Sequence, residues 1–358
     1  MATIKDVAAQ SNVSVGTVSN VLSGAAPVRP ELRERVCAAM RKLDYHPNYV
    51  ARSLKANSTK TLGMIISDIT NPFFPQVIRG AEDFAFQHGY LLMTVNTDDQ
   101  VQREKQLLAV FRSRRVDGIL LVVAPSPDKD TTHIRDAINS GVPIVCLDRI
   151  PPGLALDSVS VDNIKGALVC VRHLINQGHK RVGIITGSMT LQTARDRLEG
   201  YRAALREASV ELDAELIVEG NFRQTSGYQL GKRLFLQHRR PSALFISNGM
   251  MAIGVIQALA ETGLRCPADI ALASFDDLPM TEVFHPHLTA VAQPAYQIGY
   301  RGAELLIQRV AHKVTSRRPV TIKLEPELKI RESTASRNRS SALFSDALPP
   351  ASIRTARS

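Results

Sequence analysis

Five stretches of this chain place polar or aromatic side chains directly after a short apolar run: SDITNPFF from Ser67, LDR from Leu147, ISN from Ile246, SFDD from Ser274 and VAQP from Val291. They contribute Asp68, Asn71, Phe73, Phe74, Asp148, Arg149, Asn248, Asp276 and Gln293. Carboxylates, amides and a guanidinium exchange hydrogen bonds with hydroxyl groups, and aromatic faces take the C–H surfaces of a ring. The set is therefore of the type that binds a sugar. Each residue also has a plainer reading: Asp276 and Asp162 as helix caps, Phe73 and Phe74 as core.

The elements that would position these residues are legible. TLGMIISDI, YLLMTVN, GILLVV and PIVCLD, then KRVGIITG, AELIVEG, ALFISN and DIALASFDD, alternate with amphipathic stretches. Such alternation predicts parallel sheets covered by helices, with enough strands for two sheets. Ligands of open α/β sheets sit beyond the carboxyl ends of the strands, where these residues fall. The break between the halves is expected at SVSVDNIKGA, with Asp162 capping a helix to Asn176. LTAVAQP and a helix over Ala295 to His312 are expected to return to the first half.

The first 47 residues read differently. Thr3 is placed to cap a helix carrying Ile4, Val7 and Ala8 on one face, and Asn12 suits a left-handed turn. Ser14 then caps a second helix with Val18, Val21 and Leu22 inward and Val15, Gly16, Thr17 and Asn20 outward. Leu32, Val36, Met40 and Leu43 mark a third helix. Two short helices joined by a tight turn can lay the second in a major groove, although small helical heads also bind proteins or RNA.

Charge supports a polyanionic partner for this head. Of a formal +10, residues 1–60 hold nine Lys/Arg against four Asp/Glu, and residues 331–358 hold five against two. A basic head on a nearly neutral body is the footprint of a nucleic-acid binder. No apolar run reaches membrane-spanning length and the opening MATIKDVAAQ has no export pattern, so a cytoplasmic protein is expected. Cys37, Cys146, Cys170 and Cys266 are widely spaced, which predicts reduced thiols and no metal site. There is no P-loop, GxGxxG, HExxH or GxSxG, so neither a cofactor nor catalysis is expected.

The run TIKDVA, VS..TVSNVL, RERV..AM.KLDYHPNYVARSLK resembles the lactose-repressor (LacI/GalR) family of bacterial transcriptional regulators, and the resemblance extends to about residue 332. It implies an all-α helix-turn-helix head plus an α/β periplasmic-binding-protein-like body with two doubly wound parallel-sheet subdomains. The implied boundaries are a DNA-binding domain over 1–47, a hinge helix and linker over 48–60, and an effector-binding and dimerisation domain over 61–333. The body divides into an N-subdomain of about 61–160 and 291–320 and a C-subdomain of about 161–290 and 321–333. Residues 334–358, rich in Ser, Ala, Arg and Pro, read as a disordered tail.

By that resemblance the second helix reads DNA, with Val15, Gly16 and Asn20 choosing bases, Thr17 near the backbone or bases, and Thr3 and Ser14 also among the DNA-binding residues. Asn20 is suited to adenine and Val15 to a thymine methyl. Leu54 of a hinge helix over 48–56 would wedge into the minor groove, flanked by Arg52 and Lys55. In the body the resemblance carries over Asn71, Phe73, Phe74, Asp148, Arg149, Arg197, Asn248, Asp276 and Gln293 as effector contacts. Arg197 has its own competitor, a surface pair with Asp196 or Glu199. The expected partners are a double-stranded DNA operator, a sugar, sugar-acid or sugar-phosphate effector, and a second copy of the chain. The rival readings are a solute-binding protein without a DNA-reading role, and a sugar-processing enzyme.

Overall fold

The computed structural model describes residues 2–23, 26–46, 58–279, 284–312 and 318–335. Two compact units result, residues 1–59 and 60–358.

The first unit holds α1 (Ile4–Ser11), α2 (Val15–Ser23) and α3 (Pro30–Lys42). Their termini are specified locally. Thr3 and Asp6 form a reciprocal capping box at the start of α1, and Asn12 ends it with φ 50°. The Ser14 hydroxyl accepts from the Thr17 amide at 3.1 Å, which caps α2. Pro30 opens α3, where its missing N–H costs nothing. Val7, Ala8, Val18, Val36 and Ala39 form the buried core. Arg35 of α3 donates to the carbonyls of Ser11 and Asn12 at 2.6 and 3.2 Å, fastening the turn between the first two helices.

The second unit contains two six-stranded sheets. The first runs β1 (Thr61–Ile66), α4 (Phe73–Gln87), β2 (Leu91–Asn96), α5 (Val101–Ser113), β3 (Gly118–Leu121), α6 (Thr132–Asn139), β4 (Ile144–Leu147), β5 (Asp157–Val161). The second follows with α7 (Asn163–Asn176), β6 (Val182–Thr186), α8 (Gln192–Glu207), β7 (Ile217–Glu219), α9 (Gln224–Phe235), β8 (Ala243–Ile246), α10 (Gly249–Thr262), β9 (Ala271–Phe275) and β10 (Thr289–Ala292). After these come α11 (Ala295–His312), β11 (Thr321–Leu324) and β12 (Glu327–Lys329). The strand orders are β11-β5-β4-β3-β1-β2 and β12-β10-β9-β8-β6-β7, so the two sheets are built alike. All pairings are parallel except β10 with β12.

Helices cover both faces of each sheet, which is why the central strands are continuous apolar runs rather than alternating ones. In the first lobe α4 and α11 cover one face, and α5 and α6 the other. In the second, α7 and α8 face α9 and α10 across the sheet. The α4 and α11 backbones nearly touch, because a Cβ on Gly299 would lie 1.8 Å from the Val77 carbonyl oxygen and one on Gly80 2.0 Å from that of Tyr296. Only glycine permits that approach.

SVSV is a strand of the first sheet, β5, and the break between the lobes follows it, within the expected stretch. Two placements correct the expected division of the body. LTAVAQP does not return to the first half: β10 pairs with β9 in the second sheet, and only α11 crosses back, its Ile298, Ala303, Leu305 and Leu306 lying on the first sheet. Residues 321–324, expected in the C-subdomain, form β11 beside β5 in the first sheet, while 327–329 join the second. Residues 321–324 read TIKL, and a four-residue alternating strand carries no mark of which of two similar sheet edges it completes. Thr334, expected to begin the tail, is buried, and its hydroxyl bonds that of Thr289 at 2.8 Å. Residues 336–358 and the expected hinge residues Arg52, Leu54 and Lys55 lie outside the described residues.

Candidate functional site

In the head, α2 presents its first turn outward. Val15 is 42 % exposed. Gly16 beside it is exposed, and a Cβ there would meet only the Ser14 hydroxyl at 3.6 Å. Thr17 is half-buried with its hydroxyl 2.9 Å from that of Ser14, and Asn20 is half-buried one turn on. Thr3 is exposed at the start of α1. The first turn of α2 is thus a small, flat, partly apolar surface with a capped amide end, a shape that enters a groove without obstruction.

In the body the carboxyl ends of the strands of both sheets converge. Asp148 follows β4 and Asp276 follows β9, equivalent positions in the two sheets, and both lie in the left-handed region with φ 62° and 73°. Each is held there by its amide, which donates to the neighbouring strand: Asp148 to the Val159 carbonyl at 2.9 Å, Asp276 to that of Val291 at 3.0 Å. Non-glycine residues in this conformation persist where surrounding bonds impose it, commonly at ligand sites.

Arg197 of α8 stands between them and is 3 % exposed. It donates from Nε to Asn163 Oδ1 at 2.8 Å and from Nη1 to the Ser247 carbonyl at 2.5 Å, with its guanidinium 3.7 Å from the Phe275 ring centroid. A surface pair with Asp196 or Glu199 is not what it makes. Burial depresses its affinity for a proton, opposed by Asp276 and Asp148. Burial likewise raises the pKa of Asp148 against the pull of Arg149 and Arg197. Arg149 donates from Nη1 to Asp99 Oδ1 at 2.6 Å. Gln293 Nε2 donates to Asp276 Oδ1 at 2.5 Å, and the Asp276 carboxylate also accepts from the Gly249 amide at 3.3 Å, at the start of α10. Asn248 caps that helix through the Met251 amide at 2.9 Å and donates to the Phe222 carbonyl at 3.0 Å. Gly249 lacks a side chain where Leu278 lies, since a Cβ would be 2.5 Å from Leu278 Cδ1.

The structure thus brings Asp148, Arg149, Arg197, Asn248, Asp276 and Gln293 into one buried polar group. It treats the aromatic pair otherwise. Phe73 and Phe74 open α4, edge-to-face at 5.1 Å, and belong to the first-lobe core with 7 % and 2 % exposure. Asn71 spends its side-chain oxygen on the Phe73 amide at 3.1 Å. Within the group, Ser67 Oγ, Asp148 Oδ1, Arg149 Nε, Ser247 Oγ and Gln293 Oε1 are buried polar atoms with no hydrogen-bond partner in the protein. Orphans are rare in folded proteins. Five of the seven such atoms among the described residues fall at the ends of β1, β4, β8 and β10. A hollow beside Arg149 has Glu104 and His133 on one wall and Thr190, Leu191 and Gln192 on the other, so both lobes line it.

Sequence reasoning passed over Ser67, Asp99, Asn163, Phe222, Arg223 and Ser247. The two serines immediately follow β1 and β8, so the strand-end rule reaches them once strand limits are known. Phe222 follows the three-residue β7, turns with φ 66°, and puts its ring where a Cβ on Gly187 would stand. No periodicity announces it.

A capped helix-turn-helix unit and a two-lobed body with a polar strand-end cleft define a class of protein, the ligand-controlled DNA-binding regulators. The comparisons agree part by part. Residues 3–48 match the model for bacterial regulatory proteins of the lacI family, and residues 171–334 that for a periplasmic binding protein-like domain. The HTH-type transcriptional repressor PurR of Mannheimia succiniciproducens is 36 % identical over 333 residues, 93 % of this chain and 98 % of that protein. A structure of the transcriptional regulator CelR with cellobiose superposes with a TM-score of 0.70 at 30 % identity, covering 93 % of this chain and all of that one. The lac repressor dimer bound to operator and the anti-inducer ONPF does so at 0.82 and 27 %, covering 93 % and 99 %. The chain belongs to the lacI family of bacterial regulatory proteins, and is a DNA-binding regulator of transcription and not an enzyme. No helix among the described residues is long and apolar enough to cross a membrane.

Proposed function

We propose that the chain is a dimeric repressor that holds a pseudo-palindromic operator through two copies of α2 and yields or tightens that hold when a small sugar-type effector enters the body. Residues 1–47 read the DNA, 48–60 form the hinge, 61–333 bind effector and dimerise, and 334–358 form a tail; the protein works in the cytoplasm. Val15, Gly16 and Asn20 meet base edges, with Thr3, Ser14 and Thr17 at the backbone and Arg52, Leu54 and Lys55 at the centre of the site. A two-fold operator requires two heads, hence the dimer. The observation that carries the effector half is the convergence of five orphaned buried polar atoms at the strand ends of both lobes. Asp148 Oδ1 and Gln293 Oε1 accept from hydroxyls, with Asp276 and Asn248 beside them and Asn71 at the rim, and Phe73 and Phe74 give the wall an apolar backing. Arg149 and Arg197 equally suit a sugar acid or sugar phosphate.

Ligand coupling needs only unequal affinity for two states, typically about 1–3 kcal/mol. The test is fluorescence anisotropy of the purified protein on duplexes selected from a palindromic pool, at fixed salt, with pentoses, hexoses, sugar acids and sugar phosphates added singly. Sequence-selective binding that one compound shifts is expected. Weak binding indifferent to sequence, with a slope set by salt alone, would refute the reading.

A further inference from the structure

We propose that Arg223 is the positioning residue that holds the effector cleft closed, an ionic latch at the edge of the lobes farthest from their connections. The inference rests on the effector-cleft reading above and adds to it a residue outside the ligand-facing set.

Arg223 belongs to the second lobe, in the short loop between β7 and α9. The left-handed Phe222 turns the chain before it, and Asn221 Oδ1 accepts from the Arg223 amide at 3.0 Å. So held, its side chain reaches two carboxylates of the first lobe: Nη1 lies 2.6 Å from Asp68 Oδ2 and Nη2 3.5 Å from Asp99 Oδ2. Both acceptors are fixed in advance by their other oxygen. Asp68 Oδ1 accepts from the Thr70 amide and hydroxyl at 3.0 and 2.6 Å, and Asp99 Oδ1 from Arg149 at 2.6 Å. Each carboxylate therefore offers one free oxygen across the cleft, and a single planar guanidinium takes both.

Position gives this pair its leverage. The chain crosses between lobes from β5 to α7, from β10 to α11 and from β11 to β12, all at one edge of each sheet. Asp68 and Asp99 follow β1 and β2, and Arg223 follows β7, at the opposite edge. Four strand spacings separate β5 from β2, a lever of about 19 Å. A rotation of about 15° about the crossings would move the latch by roughly 5 Å, beyond any hydrogen bond, while barely disturbing the crossings. Asp99 also joins the latch to Arg149, inside the ligand group, so a ligand that recruits Arg149 changes the carboxylate Arg223 holds.

The experiment is interlobe distance by electron–electron double resonance on the full chain without DNA or effector. Spin labels go on cysteines placed at the exposed Gln102 and Gln229, with Cys37 and Cys266 changed to Ser. Arg223→Gln is expected to shift the mean distance outward by several ångströms. Asp68→Asn should do the same and the double variant should add nothing further, while Arg223→Lys, which keeps the charge but not the planar fork, should shift the distance less than Arg223→Gln does. Thermal midpoints of all variants should stay within a few degrees of the parent, separating an opened cleft from a damaged fold. An unchanged distance distribution in Arg223→Gln, or a double variant that opens further than either single one, overturns the proposal. Neither readout uses operator or effector. A latch that opens in a protein that binds no operator therefore leaves this inference standing while the proposed function falls, and the converse holds equally.

Discussion

Replacing Arg197 by Met should cost the body much of its stability. The guanidinium is buried, and Met keeps the apolar stem but removes two donors and the charge. Asn163 Oδ1 and the Ser247 carbonyl then lose their bonds, at about 1–3 kcal/mol for each buried group left unsatisfied. The contact with Phe275 forfeits up to about 2 kcal/mol more. Asp148 and Asp276 lose the cation they share. Breaking a buried ionic arrangement by removing one partner typically costs about 3–5 kcal/mol, and proton uptake by Asp148 sets a limit on the penalty. Near the midpoint of that range the thermal transition should fall by roughly 10 °C, at about 2–4 °C per kcal/mol for a body of this size. Urea unfolding followed by far-UV circular dichroism at pH 7.5 measures the loss directly, and Arg197→Lys should fall between the two. A loss below about 1 kcal/mol in Arg197→Met would show that the carboxylates do not depend on this guanidinium, and the account of the site would be wrong.

Three further outcomes are expected. Because the pKa of Asp148 is raised in the folded state, the folded protein binds the proton more tightly than the unfolded one, and stability falls as pH rises from the ordinary carboxylate value through the raised one. Asp148→Asn should therefore raise the melting temperature at pH 7.5 and leave it nearly unchanged at pH 4, while abolishing any effector response measured by anisotropy. In α2, Ser14→Ala removes the cap and should cost the head about 1 kcal/mol by chemical denaturation, whereas Asn20→Ala should leave stability alone and relax discrimination at one operator base pair by about 1–3 kcal/mol in competition binding. Gly299→Ala gains about 1 kcal/mol of helix propensity but drives a methyl into the Val77 carbonyl, so net destabilisation of at least about 2 kcal/mol is expected in the same assay.

What could be read from residues alone followed local chemistry. Thr3, Asn12, Ser14 and Asp162 announce helix ends because caps are settled within three or four residues, and all four take those roles. The strand ends placed Asp148, Asn248 and Asp276 correctly relative to their sheets for the same reason, and put Gln293 at a strand end but in the wrong lobe. The allocation of LTAVAQP and residues 321–324 was not legible, since both lobes present a similar edge and pairing across long separations leaves no local trace. Phe73 and Phe74 show the limit at the level of one residue: an aromatic pair after a strand reads equally as a stacking wall or as the first turn of a packed helix. Arg223 was hidden because its partners lie more than a hundred residues earlier in the chain.

The return of α11 and β11 to the first lobe also orders events at the ribosome. Leu62, Met64 and Ile66 of β1, with Leu120 of β3 and Leu147 of β4, form an apolar face that α11 completes. Those strands leave the exit tunnel long before α11 is translated, while the whole second sheet up to β10 is still being made. A chain elongating at about 5–20 residues per second carries that half-covered face for roughly 10–30 seconds. The first lobe, although encoded first, is completed only after nearly all of the second has been made, and the nascent protein is most open to capture by a chaperone in that interval.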